Sequence, residues 1–365
     1  MPPAFRADQV GSLLRPPGLL EARALHVGAQ LDRDGLNRAE DEAVLQALEM
    51  QRQVGMDVLT DGEYRRTEFR SVFADAVSGM VEIPQAEQAD PPLGGVNTDM
   101  LIADKVQRLG RLTAHESSFL SQHAGAAVKI TLPSVTQIVS SYCRLGVGES
   151  AYPDRASLYP DIVAILRWEI EDLAAEGVAY IQIDAPRYTY FLDERWRQVF
   201  RDQGEDPDLI IDEWIDADNA SFSGLDLRGA TLAMHLCRGN NRGSWFGEGD
   251  YAPIAEKIFN AIDVDGFLLE FDGDRSGGFE PLRFMPRNKT VVLGLVTTKT
   301  GPPEKIDDLL RRIEEASTHF PMENLAISPQ CGFATFLRET RCPESSSAAS
   351  WSWWWRRLGA LGDSR

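Results

Sequence analysis

Eight short apolar runs, spaced along most of the chain, constrain its fold more than any other feature. Segments with helical periodicity, such as residues 37–54 and 160–176, separate many of them. The alternation predicts an α/β fold of the (β/α)8 TIM barrel type. The competing fold is a doubly wound open sheet, but no G-x-G-x-x-G motif follows the first run. The eight runs are residues 5–10, 56–60, 128–132, 178–183, 230–236, 266–271, 290–296 and 324–328.

The domain organisation follows from the spacing of these runs. We expect residues 1–335 to form one barrel, with residues 64–127 as an insertion between strands 2 and 3. Residues 336–365 form an atypical C-terminal tail, with a Ser/Ala-rich stretch, four of the eight Trp and five Arg against three acidic residues. One explanation is a reading-frame shift near codon 336, which sequencing the gene for an alternative frame encoding an amphipathic helix would test. The other is a genuine tail whose Trp side chains pack on the barrel or on a partner.

Charge and composition exclude several classes of function. The net charge is −19, from 37 basic and 56 acidic residues, and argues against a nucleic-acid partner. No apolar stretch approaches the ~20 residues that span a membrane, and the N-terminus does not resemble a signal peptide, so we expect a cytoplasmic protein. Four Cys in 365 residues do not form a disulfide framework. In a reducing compartment, metal binding or catalysis is the better interpretation for some of them.

Polar and reactive side chains lie at or just beyond the ends of most of these runs. In a barrel this is the face that carries the active site. His235 and Cys237 are two positions apart, so on a strand they point to the same side. Zinc binds imidazole nitrogen and thiolate sulfur, usually with four ligands, and Glu270 and Cys331 are candidates for the other two. A His-x-Cys pair by itself is weak, because free Cys is commonly a small buried apolar residue. The complete set is Ser12, Glu63, Asp184, His235, Cys237, Glu270, Lys299 and Cys331.

Taken together, these motifs resemble the C-terminal barrel of cobalamin-independent methionine synthase over residues 4–335. The resemblance implies that the His-x-Cys pair, Glu270 and Cys331 are zinc ligands. It also implies that Gly11 and Ser12 form the loop that binds the homocysteine carboxylate, and that Glu63 binds the amine. The segment 182–186 resembles the family's Gln-Ile-Asp-Glu-Pro, which makes Asp184 a candidate for substrate binding and catalysis.

The resemblance further implies a zinc-dependent methyltransferase that converts homocysteine to methionine, with a folate or another compound as methyl donor. Glu270 is the candidate for a weak zinc ligand that the substrate sulfur displaces. Lys299 stands where the family carries a His, and it either supplies a proton, neutralises developing negative charge or is a surface residue. Two alternatives stay open: alkylation of another thiol, such as coenzyme M, by an epoxide, and a non-catalytic zinc-binding barrel. The oligomeric state is not predicted.

Overall fold

Strands and helices alternate along the chain in the computed structural model, which describes residues 5–83, 100–144, 147–240, 244–299 and 304–334. The strands are short, and those of the main sheet consist mostly of buried residues. Within the described ranges they are β1 (Val58–Leu59), β2 (Met80–Glu82), β3 (Met100–Ile102), β4 (Ala127–Pro133), β5 (Tyr180–Asp184), β6 (Thr231–Leu236), β7 (Gly266–Glu270), β8 (Thr290–Val296) and β9 (Leu325–Pro329).

Seven of these strands form one parallel sheet in the order β1-β4-β5-β6-β7-β8-β9. The N-terminal segment touches both ends of this sheet. Ala7 forms a parallel bridge with Ile327 of β9, whereas the Leu13 amide donates to Gly62 just after β1 at 3.0 Å. The sheet is therefore curled, as predicted. The predicted first strand at residues 5–10 is reduced to that bridge, because its described residues form backbone hydrogen bonds with β9 and none with β1.

Helices connect the strands and cover the outside of the sheet. Helix α2 begins earlier than the predicted start at residue 37, because the Asp32 carboxylate accepts a hydrogen bond from the Gly35 amide at 2.7 Å and caps the helix. The helices are α1 (Pro17–Val27), α2 (Arg33–Val54), α3 (Ser71–Ala74), α4 (Ala114–His123), α5 (Val135–Tyr142), α6 (Tyr159–Ala175), α7 (Glu194–Asp202), α8 (Pro207–Ala220), α9 (Ala252–Ala261) and α10 (Ile306–Ser317).

The region between β1 and β4 contains a second, antiparallel sheet of β2 and β3, together with α3 and α4. Residues 84–99 of the predicted insertion lie outside the described ranges, and so does the tail from residue 335. The predicted domain boundary near residue 335 stays a prediction. Of the helices that the structure describes, none is both long and apolar enough to cross a lipid bilayer.

Strand alternation determines which side chains face the interior of the curled sheet. A small apolar cluster takes one residue from each of several strands, among them Tyr180, Ala233 and Leu268. Residues two positions further along a strand point the same way. Asp184, His235 and Glu270 are therefore expected at the same inner face, near the carboxyl ends of β5, β6 and β7.

Candidate metal centre

The inner ends of the strands bring four potential metal ligands into one buried group. These are His235, Cys237, Glu270 and Cys331, and one ligand atom from each lies within 4.8 Å of those from the others. The two Sγ atoms are 3.1 Å apart. The residues come from β6, from the end of β7 and from the segment after β9, so the group depends on the tertiary fold. The structure thus brings together all four residues predicted as ligands.

One ring nitrogen of His235 forms a hydrogen bond, and the other has no partner among the described residues. Its Nδ1 lies 3.1 Å from Oδ1 of Asp184, whereas its Nε2 is buried and has no hydrogen-bond partner within the described part of the chain. Burial favours a lower pKa for His235, but the Asp184 hydrogen bond and the Cys331 thiol raise it, and the net shift is upward. A carboxylate on the far nitrogen is the usual support of a histidine that binds metal. The unpartnered Nε2 is thus the expected ligand atom.

Basic groups surround the Glu270 carboxylate. Its Oε1 accepts from the Arg238 amide at 2.6 Å, and its Oε2 accepts from Nη2 of Arg275 at 3.0 Å. Nζ of Lys299 is 3.8 Å from the same Oε2. Burial acts to raise the pKa of Glu270, but Lys299 and Arg275 outweigh it and lower that pKa. The carboxylate is consequently ionised at neutral pH, as a metal ligand must be.

The two thiols interact directly. The hydrogen bond between them raises the pKa of Cys237 and lowers the pKa of Cys331. The Gly239 amide also donates to Sγ of Cys237 at 3.2 Å. Two sulfurs, one imidazole and one carboxylate form a mixed donor set that zinc accepts. Together with the unpartnered Nε2 of His235, the donor set fits a bound zinc ion.

A cavity of about 670 Å³, including the space open to solvent, lies against this group. Ser12, Glu63 and Asp184 line it together with His235 and both ligand cysteines. Glu270 and Lys299 are not among its lining residues. Three of the residues predicted outside the ligand set therefore face the cavity, while Lys299 lies beside Glu270.

Glu63 is held in a strained and specific position. Its φ of 57° is in the left-handed region, which non-glycine residues rarely adopt. The Asp61 side chain accepts from its amide at 2.9 Å, and Thr131 donates to its Oε1 at 2.7 Å. Arg66 lies 3.6 Å from the same oxygen. Burial raises the pKa of Glu63, against the opposing effect of Arg66.

Two further cavity residues were not predicted. The Asn240 side chain donates to Thr298 and to the Gly332 carbonyl, while its buried Oδ1 has no hydrogen-bond partner among the described residues. Arg187 also lines the cavity. Asn240 lies three residues after Cys237, and Arg187 lies three residues after Asp184. This position just beyond a strand-end motif is the sequence signal from which both could have been predicted.

The curled parallel sheet and the buried sulfur, imidazole and carboxylate group define the class as an α/β protein with a candidate metal centre at the carboxyl ends of its strands. The chain belongs to the family described as the cobalamin-independent synthase catalytic domain, whose profile matches residues 10–345. The resemblance seen in the sequence is confirmed.

Relatives agree with this assignment over nearly the full chain. YxjH of Bacillus subtilis is 34% identical over 345 residues, which cover 91% of this chain and 88% of that protein. A methionine synthase of Saccharolobus solfataricus is 25% identical over 92% of this chain and 90% of its own.

Solved structures of low sequence identity share the fold. A Listeria monocytogenes chain assigned to the vitamin-B12-independent methionine synthases has a TM-score of 0.77 at 24% identity, with 100% of both chains covered. A B12-independent methionine synthase from Shewanella, solved in complex with selenomethionine, has a TM-score of 0.75 at 19% identity and covers 98% of this chain and 99% of that one.

Proposed function

We propose that this protein is a zinc-dependent thiol S-methyltransferase that methylates homocysteine to give methionine. The observation that carries the proposal is the buried four-ligand group beside a cavity that Ser12 and Glu63 also line. Family membership supports a methyltransferase. We also propose that the curled sheet is a closed (β/α)8 barrel with residues 64–127 as an insertion, which the Ala7–Ile327 bridge supports.

His235, Cys237, Glu270 and Cys331 would hold the zinc ion. A bound zinc ion would supply Lewis acidity, which lowers the pKa of a substrate thiol until the thiolate predominates near neutral pH. Two cysteine ligands would keep the net charge of that site low.

The chain's own residues position the ligands and the substrate. Asp184 orients His235 through Nδ1 and fixes which ring nitrogen faces the other ligands. Glu63 offers a carboxylate to the amine of an amino-acid thiol, and Ser12 and its loop bind the carboxylate. Of the roles predicted for Lys299, neutralisation of charge is the one its position beside Glu270 supports. A role for Asp184 in catalysis is proposed only through His235.

Two relatives support the choice of substrate. Saccharolobus solfataricus has a 25% identical protein named methionine synthase. The related Shewanella structure was solved with selenomethionine, the selenium analogue of the proposed product. Glu63 favours an amino-acid thiol over coenzyme M, which has no amine. The methyl donor is a folate or another small methyl compound.

The experiment compares Cys237→Ser with Cys143→Ser in the full chain. Cys143 is a free, half-buried cysteine outside the ligand group, so it controls for loss of a thiol. We expect Cys237→Ser to lose bound zinc and homocysteine methylation, measured by elemental analysis and by methionine formation, whereas Cys143→Ser keeps both. Full zinc content and activity in Cys237→Ser would refute the proposal. Replacing homocysteine by coenzyme M, with an epoxide as electrophile, tests the alternative activity.

A further inference from the structure

Arg187 is a cation in the cavity wall that forms no ion pair with a described carboxylate. It follows β5 in the 3-10 helix Pro186–Leu192 and is half-buried. Its Nε donates to Oε1 of Gln137 at 3.2 Å, and its Nη1 donates to the Tyr190 hydroxyl at 2.8 Å. Within the described ranges its Nη2 has no hydrogen-bond partner. One edge of the guanidinium is therefore held by the protein, and the remaining nitrogen is free for a ligand.

The surrounding hydrogen bonds fix the orientation of this guanidinium. Nε2 of Gln137 donates to Oγ of Ser141 at 2.8 Å, and Nη1 of Arg70 donates to the same hydroxyl at 2.8 Å. Cζ of Arg187 lies 5.0 Å from the centre of the Tyr190 ring. Side chains from three separate segments thus hold Arg187 in place. Such preorganisation lowers the entropy lost on binding a ligand.

The charges around the cavity leave Arg187 unbalanced. Of the other charged residues that line it, Glu63 pairs with Arg66, Asp184 with His235, and Arg70 with Glu68. Burial lowers the pKa of Arg187 and the nearby Arg70 adds to this effect, although Tyr190 opposes both. A guanidinium nevertheless stays protonated in proteins. The cavity wall consequently presents one positive charge without a protein counter-charge among the described residues.

We propose that Arg187 is the oxyanion-binding residue of this cavity, and that it pairs with a carboxylate or similar oxyanion carried by one of the two reactants. The identity of the reactants rests on the proposed function. Arginine suits this role because its planar set of N–H donors matches a carboxylate. The carboxylate comes either from the amino-acid thiol or from the methyl donor.

Binding measurements without turnover test this directly. Zinc-loaded full-length protein is titrated calorimetrically with homocysteine, 3-aminopropane-1-thiol, 5-methyltetrahydrofolate and inorganic sulfate. The compared variants are Arg187→Met, Arg187→Lys and a control, Arg201→Met, which alters an exposed arginine on α7. We expect Arg187→Met to weaken the binding of at least one anionic probe by about 10- to 100-fold, the range for a charge-assisted hydrogen bond. Arg187→Lys should recover part of the loss, and Arg201→Met should match the wild type.

The probes separate the two sources of the carboxylate. If the thiol supplies it, homocysteine binding falls in Arg187→Met while binding of 3-aminopropane-1-thiol, which lacks the carboxylate, is unchanged. If the donor supplies it, binding of 5-methyltetrahydrofolate falls in Arg187→Met while binding of homocysteine is unchanged. Sulfate binding that depends on Arg187 would support the site even if homocysteine is not methylated, and only the proposed function would then fail. Equal binding of every anionic probe to wild type and Arg187→Met would overturn the inference.

A stability measurement separates binding from a structural role. Because no described carboxylate pairs with Arg187, Arg187→Met should unfold at nearly the same urea concentration as the wild type, in contrast to the larger losses when a buried ion pair is broken. If Arg187→Met does not fold, modification of wild-type Arg187 by phenylglyoxal replaces the titration. Protection of Arg187, but not of Arg201, by an anionic probe would support the inference, and no protection by any probe would overturn it.

Discussion

At the scale of single residues, hydrogen bonds from the surrounding protein hold His235 and Glu270 of the candidate centre. Asp184 occupies Nδ1 of His235, while Nε2 is buried without a described partner. The Arg238 amide and Arg275 hold the two oxygens of Glu270. Partners of this kind fix the tautomer and rotamer of a ligand before metal binds. Burying polar groups around the cavity lowers the free energy of unfolding.

Asp61 provides a test of that cost. Its Oδ1 accepts from the Glu63 amide, but its buried Oδ2 has no described partner. Burial and the charge of Glu116 raise the pKa of Asp61 to about 7, although Arg66 opposes them. An unfolded Asp titrates near ~3.9. Asp61 therefore binds its proton more tightly in the folded state than in the unfolded state. The contribution of this proton to the free energy of unfolding is full below about pH 4 and is lost as the pH rises through about 7.

In the wild type we expect the free energy of unfolding to fall between pH 5 and pH 8, and in Asp61→Asn we expect this fall to be smaller by on the order of 2 kcal/mol. The amide keeps the oxygen that accepts from Glu63 and removes the titration. Asp226→Asn is the matched control, because exposed Asp226 accepts from the amide two residues ahead, and Arg228 there also has a positive φ of 52°. Urea unfolding at both pH values measures the effect. Parallel pH profiles for wild type and Asp61→Asn would contradict it.

The four candidate ligands could be predicted from the sequence, whereas the role of Arg187 could not. His235, Cys237, Glu270 and Cys331 each lie at or just past the end of an apolar run, and the (β/α)8 pattern alone implies that such ends converge. Arg187 was not predicted, because its significance lies in the absence of a counter-charge. The sequence does not show which carboxylates are near an arginine.

At the scale of elements, the loop after the N-terminal segment determines where Glu63 lies. Gly11 has a φ of +138°, and a Cβ there would lie 2.8 Å from Oε1 of Glu63 and 2.9 Å from Cγ2 of Thr131. Glycine is needed both for the backbone conformation and for the close approach. The loop and the carboxylate are thus packed as one unit.

Gly11→Ala should displace the Glu63 carboxylate and leave the ligand group intact. We expect about a tenfold higher KM for homocysteine with unchanged zinc content, and a stability loss of about 1–3 kcal/mol from backbone strain. Gly110→Ala is the control, since Gly110 is exposed and a Cβ there meets nothing within 4 Å. Steady-state kinetics and elemental analysis measure both effects. An unchanged KM in Gly11→Ala would show that Glu63 does not bind the thiol substrate.

Elements with a strong apolar pattern were predicted well, and polar or short elements were not. The expected strand at residues 290–296 matches β8, and the expected helix at residues 160–176 matches α6 to within one residue at each end. Helix α7 was missed, because only Trp196 and Phe200 of its nine residues are buried. The first strand was overestimated, since its pairing depends on β9, more than 300 residues away in the chain.

At the scale of the whole molecule, the candidate centre joins parts of the sheet that are far apart in sequence. Its ligands extend from His235 to Cys331 and come together only when the curled sheet has formed. Binding of the proposed zinc ion and folding of this half of the sheet would therefore be coupled, because the unfolded chain has no preformed site. The cavity beside the ligand group would give the sulfur of the proposed substrate access to the same point.

Zinc K-edge X-ray absorption, with and without homocysteine, tests this account most directly. The ligand group predicts two sulfur and two nitrogen or oxygen neighbours for zinc in the free protein. Under the proposed function, addition of homocysteine should raise the sulfur count to three and remove one lighter neighbour, since the substrate thiol would take the place of Glu270. A zinc shell that keeps the same composition at saturating homocysteine would contradict the claim that this centre activates the substrate thiol.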